Sequence, residues 1–179
     1  TALGEGDVSG CYNVALGNSA GKILTTGSAN VLIGQATADA LTTGNCNVAV
    51  GTNALGAGTC SNRNVAIGEG AMSAAMVGGN NIAIGYNSMD AALDANGNIA
   101  LGENALGAVT TGARNIGIGQ DAGVGITTGG CTINIGCGTN QTTAGVTCIG
   151  GNCLMTNCFY ETSDCRSKCN IKDLSYGLS

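Results

Sequence analysis

The residues in this 179-residue sequence most able to do chemistry are its ten cysteines, and there is no histidine beside them. Seven of them, Cys131, Cys137, Cys148, Cys153, Cys158, Cys165 and Cys169, fall between positions 131 and 169. Thiolates serve either as soft metal ligands or as disulfide partners. A cysteine-only metal site needs four thiolates in tetrahedral array, usually as C-x2–4-C pairs. Cys165-x3-Cys169 fits that loosely, whereas Cys148, Cys153 and Cys158 are spaced by five. The pattern favours these seven as disulfide candidates in an oxidising exterior, with no metal and no cofactor.

Other chemical signals dissolve on inspection. Gly117-Ile-Gly119-Gln-Asp-Ala122 matches a dinucleotide-binding fingerprint, but no βαβ unit surrounds it. Asn140-Gln-Thr142 is a glycosylation sequon, of consequence only in a eukaryotic secretory route. Thr-Thr pairs invite an ice-binding reading, yet adjacent strand residues point opposite ways and Met76-Val77 and Leu93-Asp94 interrupt the series. Net charge is −5 with six basic residues, which argues against nucleic acid. No unbroken apolar run of about 18 residues exists, so no membrane insertion by a helix is expected. No signal peptide is visible, and a start at Thr1 reads as processing or as part of a longer polypeptide.

The element that must position any such residue is a repeat. Asn64 to Gly68 reads NVAIG, and the phrase recurs every 17 residues from Asn13 through Asn30, Asn47, Asn64, Asn81, Asn98 and Asn115. A degenerate copy, TINIG, follows at Thr132. The closing glycines are Gly17, Gly34, Gly51, Gly68, Gly85, Gly102, Gly119 and Gly136. A fixed period near 20 residues marks a solenoid. Composition agrees: 32 glycines, no proline and five aromatics cannot fill a thick core, whereas a thin stacked coil needs little bulk. Charged residues make up only 9%, which suggests surface buried against other copies of the chain.

Local logic predicts an all-β parallel β-roll. Val65, Ala66 and Ile67 alternate as a strand. The Val/Ile pair is expected inside the coil, with the small middle residue (Ala15, Ala49, Ala66, Ala83, Ala100, Gly117) facing a neighbouring chain. The glycine ends the strand and permits a tight turn. A second short strand is expected on the opposite wall around Ala54-Leu55, Ala71-Met72 and Ala105-Leu106, with Thr-Thr-Gly in the return loop. The asparagines read as a stacked amide ladder rather than a ligand row. With turns roughly 4.8 Å apart, eight coils would stand about 40 Å tall. Three regions follow: 1–12 as a partial coil, 13–150 as the array closing in a shorter coil at Val146–Gly150, and 151–179 as a cysteine-rich C-terminal segment. Cys46 and Cys131 share one repeat position five coils apart, too far to pair within a chain.

The NVAIG-type phrase repeated from Asn13 to Gly136 resembles the head repeats of trimeric autotransporter adhesins. It resembles still more closely the related repeats of phage and viral tail fibres, whose loops often read T-T-G. The resemblance implies a left-handed roll, three chains packed side by side, and an extracellular location at a virion surface or in a cell-surface fibre. Ser163 to Leu178 reads SDCRSKCNIKDLSYGL. It is similar to the opening of the intramolecular chaperone, auto-processing domain of phage tail spikes, S-D-x-R-x-K-x-N-I. The likeness implies Ser163 as nucleophile and Lys168 as its base, cutting the Thr162–Ser163 bond; a lysine of depressed pKa can take a serine proton without histidine. Cys165, Ser167 and Cys169 depart from that pattern, and the sequence holds only the opening of such a domain. A structural role is therefore expected for 163–179.

The functional expectation is a non-enzymatic subunit of a homotrimeric extracellular fibre or adhesin, offering loops to a cell-surface receptor or glycan. A self-cleaving assembly module using Ser163 and Lys168, and a disulfide-locked filament subunit polymerising end to end, are the alternatives.

Overall fold

A computed structural model describes residues 9–74, 76–150 and 152–155. The described residues form ten short strands: β1 (Val14–Leu16), β2 (Val31–Ile33), β3 (Val48–Val50), β4 (Val65–Ile67), β5 (Ile82–Ile84), β6 (Ile99–Leu101), β7 (Ile116–Ile118), β8 (Ile133–Ile135), β9 (Val146–Ile149) and β10 (Asn152–Met155). They lie in one sheet in sequence order. From β1 to β8 each strand pairs parallel with the next at a 17-residue offset, as in Val65↔Ile82 and Ile67↔Ile84. The last parallel step is shorter, with Ile133 opposite Thr147. β10 then turns back antiparallel on β9. The architecture is a parallel β-solenoid of about eight turns, with no helix among the described residues.

Most backbone hydrogen bonds run between turns, while short-range bonds such as Leu24 N to Gly21 O (3.1 Å) close the corners within a turn. Val48 N donates to Asn64 O at 2.8 Å, and Gly51 N donates to Ile33 O at 2.8 Å. The same two bonds recur at successive turns, such as Val65 to Asn81 (2.9 Å) and Gly68 to Val50 (2.8 Å). Each coil thus satisfies its polar groups on its neighbours, which is why residues so poor in bulk can still hold a fixed shape.

Two sequence expectations are overturned. The faces of the strand are inverted: Leu32, Ala49, Ala66, Ala83 and Ala100, the middle residues, are fully buried, while the Val/Ile flanks are half-buried or exposed. The reason is the thinness of the roll. A Cβ added at Gly117, in this same column, would stand 2.8 Å from Leu106 Cγ. The far wall already supplies the interior bulk, so only a small side chain fits opposite it.

The far wall is also not a second strand. Ala36 and Ala38, Asn53 and Leu55, Asn87 and Met89, and Asn104 and Leu106 all have positive φ, between 47° and 57°. Alternate left-handed residues break extended geometry. They cost of order 1–3 kcal/mol each. What offsets that cost is inter-coil bonding: Ala38 N donates to Ala54 O (2.9 Å), Leu55 N to Ala71 O (2.9 Å) and Met89 N to Ala105 O (3.0 Å). The wall therefore stacks as a sheet would while reversing the chain and aiming a large side chain inward.

The large interior residue occupies one of two seats three positions apart. Leu24 and Leu41 are preceded by Gly21 and Ala38, whereas Leu55 and Met89 are followed by Gly58 and Ala92. Gly123 with Ile126 returns to the first arrangement. Most coils thus carry one bulky group and one small one, as close packing of a fixed thin space requires. Leu106 with Val109 fills both seats and abuts the one glycine of the strand column, Gly117. This exchange predicts a compensating pair. Leu55→Ala should cost roughly 2–5 kcal/mol in denaturant unfolding. Adding Gly58→Leu should recover part of it, although Gly58→Leu alone is destabilising: its Cβ would stand 2.9 Å from Ser61 Oγ and in contact with Leu55 Cγ and Cδ1 at 3.4 Å, so Leu55 occupies the space the rest of the new side chain needs.

Candidate functional site

The repeated polar feature inside the roll is the asparagine column. Asn30, Asn47, Asn64, Asn81, Asn98 and Asn115 are fully buried, and Asn13 at the first turn is half-buried. Asn30 shows the pattern. Its Nδ2 donates to Asn13 Oδ1 (3.0 Å) and to Gly44 O (2.9 Å). Its Oδ1 accepts from Asn47 N (3.0 Å) and Asn47 Nδ2 (3.0 Å). Both donors and both acceptor sites of the amide are used, and all within the protein. The bond to the carbonyl 14 residues on recurs at Ser61, Gly78, Ala95, Gly112 and Gly129. It ties each strand start to the return loop of the next turn. Thr132, the degenerate position, continues the column by donating its hydroxyl to Asn115 Oδ1 at 2.8 Å.

The strand-ending glycines form a parallel column with φ between 120° and 139° from Gly17 to Gly136. That region is open only to glycine. At Gly68 an added Cβ would also sit 2.5 Å from Gly85 O, so the turns approach too closely for any side chain. Among the described residues, one buried side-chain polar atom is left over: Ser61 Oγ, in the return loop, has no hydrogen-bond partner.

Outside, the sheet presents an apolar face. Each of β1 to β8 contributes two outward Val, Ile or Leu side chains, among them Ile84 at 40% and Ile118 at 36% exposure. One rim of this face is the left-handed corner before each asparagine, where Cys46, Arg63, Asn80, Arg114 and Cys131 stand exposed. The other follows each glycine and carries Gln35, Thr52, Glu69, Tyr86, Glu103, Gln120 and Cys137, all exposed. The repeat alone does not reveal this face, because alternating Val and Ile point to an apolar interior by the ordinary rule for strands. The signal was available in the bulk of the far wall, where Leu and Met alternate with Gly and Ala.

Among the sequence candidates, Cys131 and Cys137 are exposed at opposite corners flanking β8, and Cys148 is buried in β9. Cys153 lies in β10, directly across from Cys148. Cys158, Cys165, Cys169, Ser163 and Lys168 lie outside the described residues. Among the described residues no cluster of three or more His, Cys, Asp or Glu could hold a metal ion. Cys60, which the sequence did not single out, is chemically distinct. Hydrogen bonds from the Thr43 and Thr59 hydroxyls favour its thiolate and lower its pKa below that of an ordinary thiol.

Two measurements probe these columns. Asn81→Ala leaves Asn98 N and Ala95 O without their partner in the interior and takes one of two partners from Asn98 Nδ2 and from Asn64 Oδ1. It should cost roughly 3–5 kcal/mol in denaturant unfolding. For Cys60 the sign is direct: a lowered pKa means more thiolate at a given pH. Thr43→Val should therefore shift the pH midpoint of Cys60 alkylation upward and slow its labelling at neutral pH, as followed by mass spectrometry.

Comparison of the chain with known protein-family models, with curated proteins and with solved structures finds no match in any of the three.

Proposed function

We propose that this chain is a structural segment of an extracellular fibre or adhesin, in which identical copies pack in parallel through their apolar sheet faces. The observation that carries the reading is that face. Two aliphatic side chains from each of eight stacked strands form a continuous surface about 35 Å tall at roughly 4.8 Å per strand. Its apolar area is on the order of several hundred Å², at or above the largest patch a monomer normally leaves in water. With its polar rims the face approaches the roughly 800 Å² per partner of a stable interface. An apolar centre inside a polar rim is the usual anatomy of such an interface.

Charge placement supports copies lying at the same level. Arg63 precedes β4 and Glu69 follows it, so the two stand at opposite rims of one turn. Rotating a second copy about an axis along the stack brings the Arg63 rim of one chain towards the Glu69 rim of the next. The resemblance to adhesin heads and tail fibres supplies the number, three chains, and the left hand of the roll. The exposed corners vary freely from turn to turn, as in Gln35, Thr52, Glu69 and Tyr86, while the asparagine and glycine columns repeat. That division suits a rigid rod whose corners display contacts to a receptor or surface glycan. The antiparallel return of β10 interrupts the parallel stacking at its end, which weighs against simple head-to-tail polymerisation.

Light scattering on the native protein should give the mass of three chains. Ile84→Lys with Ile118→Lys should lower it to one chain while circular dichroism stays unchanged, since both positions are already exposed. A native mass of one chain at micromolar concentration would overturn the reading, and a mass of two would keep the face as the interface but discard the trimer.

A further inference from the structure

We infer that Cys148 and Cys153 form an intrachain disulfide that clasps the closing hairpin. In the antiparallel pairing of β9 and β10 these two residues are directly opposite, one step in from Ile149↔Asn152. Two residues, Gly150-Gly151, separate the paired Ile149 and Asn152 in the sequence, the spacing of a tight hairpin. In such a hairpin the pair flanking the turn is hydrogen-bonded, so the next pair inward is the non-hydrogen-bonded one. There the Cα atoms approach to about 4.5 Å. A disulfide needs about 4.4–6.8 Å between Cα atoms, a range that includes this spacing, so the register is compatible with a bridge.

The other nearby cysteines are less well placed. Cys148 is buried at 2% exposure and continues the interior column, with Asn134 opposite it on β8. Cys131 and Cys137 are exposed at the two corners of that neighbouring coil. Neither occupies a register position beside Cys148. Residues directly opposite in an antiparallel pair share one face of the sheet, which places position 153 on the same face as Cys148.

The reaction is thiol–disulfide exchange with a small disulfide such as oxidised glutathione. One cysteine thiolate attacks a glutathione sulfur and expels one reduced glutathione. The second thiolate then attacks the protein sulfur of the mixed disulfide and expels the other. Two electrons pass from the cysteines to the glutathione disulfide, and the two thiol protons end on the two glutathione thiols. The product staples β10 to the last coil. A terminal coil has a neighbour on one side only, so this is where a solenoid frays first.

The intact chain, equilibrated in an oxidised glutathione buffer, is acid-quenched, unfolded and alkylated with iodoacetamide, then reduced and alkylated with N-ethylmaleimide. The clasp predicts maleimide on both Cys148 and Cys153, and a non-reduced digest whose fragment spectrum joins them. In the Cys153→Ser variant Cys148 should be found either in the iodoacetamide pool or as a mixed disulfide with glutathione in the non-reduced digest, and not joined to another protein cysteine. Iodoacetamide on Cys148 in the parent chain, or a non-reduced digest of the parent chain that joins Cys148 to a different protein cysteine, would overturn the inference. The linked-peptide spectrum of the parent chain decides it even if the variant fails to fold.

Discussion

The rest of this structure depends on one buried hydrogen-bonded column. A solenoid turn of 17 residues with so few large side chains cannot be fixed by apolar burial alone. The asparagine at each strand start supplies the missing constraint, because its primary amide has two donors and two acceptor sites and each faces a different demand. At Asn30 and Asn81 one bond links it to the amide of the turn before, and two come from the turn after. The fourth reaches the return loop that would otherwise carry an unpaired buried carbonyl. A threonine manages part of this, as Thr132 does, and an aspartate would bring acceptors where donors are needed. The constancy of the 17-residue period follows: any insertion would move one amide out of reach of two neighbours.

The glycine column imposes a second constraint of the same kind. At Gly68 the backbone takes a conformation closed to other residues, and the next turn's carbonyl stands where a Cβ would be. Close approach of backbones at one corner and amide bonding at the other fix both ends of each three-residue strand. Between them the strand needs only one inward side chain, and the large inward groups can come from the far wall. The exchange of bulk between the two wall seats shows how tightly that volume is held.

Much of this was legible in the sequence, and the failures are informative. The period, the strand positions and the parallel stacking follow directly from NVAIG and its copies, since a recurring phrase in a stacked fold must recur in space. The sidedness did not follow. Val and Ile at alternate positions suggest an apolar interior by the ordinary rule for sheets, but here the interior is too thin to accept them, and that thinness is set by Leu and Met elsewhere in the turn. Leu32 marks the same point from the other side, as a large residue admitted to the strand column of one turn. The far wall was misread because Ala-Leu and Ala-Met look like strand segments, whereas the left-handed conformations of Asn53 and Leu55 are imposed by the need to reverse direction. Cys60 escaped notice because its distinction comes from Thr43, which the 17-residue period brings alongside. The apolar face is what the proposed packing of copies rests on: with the strand turned over, the residues expected in the core become exposed or half-buried on the outer side of the sheet.

The most direct test of the central claim is amide hydrogen exchange along the column. The backbone amides of Asn64, Asn81, Asn98 and Asn115 each donate to a buried asparagine oxygen on the preceding turn, at 2.8–3.0 Å. They should be among the slowest in the molecule and should exchange together, orders of magnitude more slowly than the exposed corner amides of Thr52, Glu69 and Gln120. Exchange of the asparagine amides as fast as those corners would mean that the column does not hold the turns together.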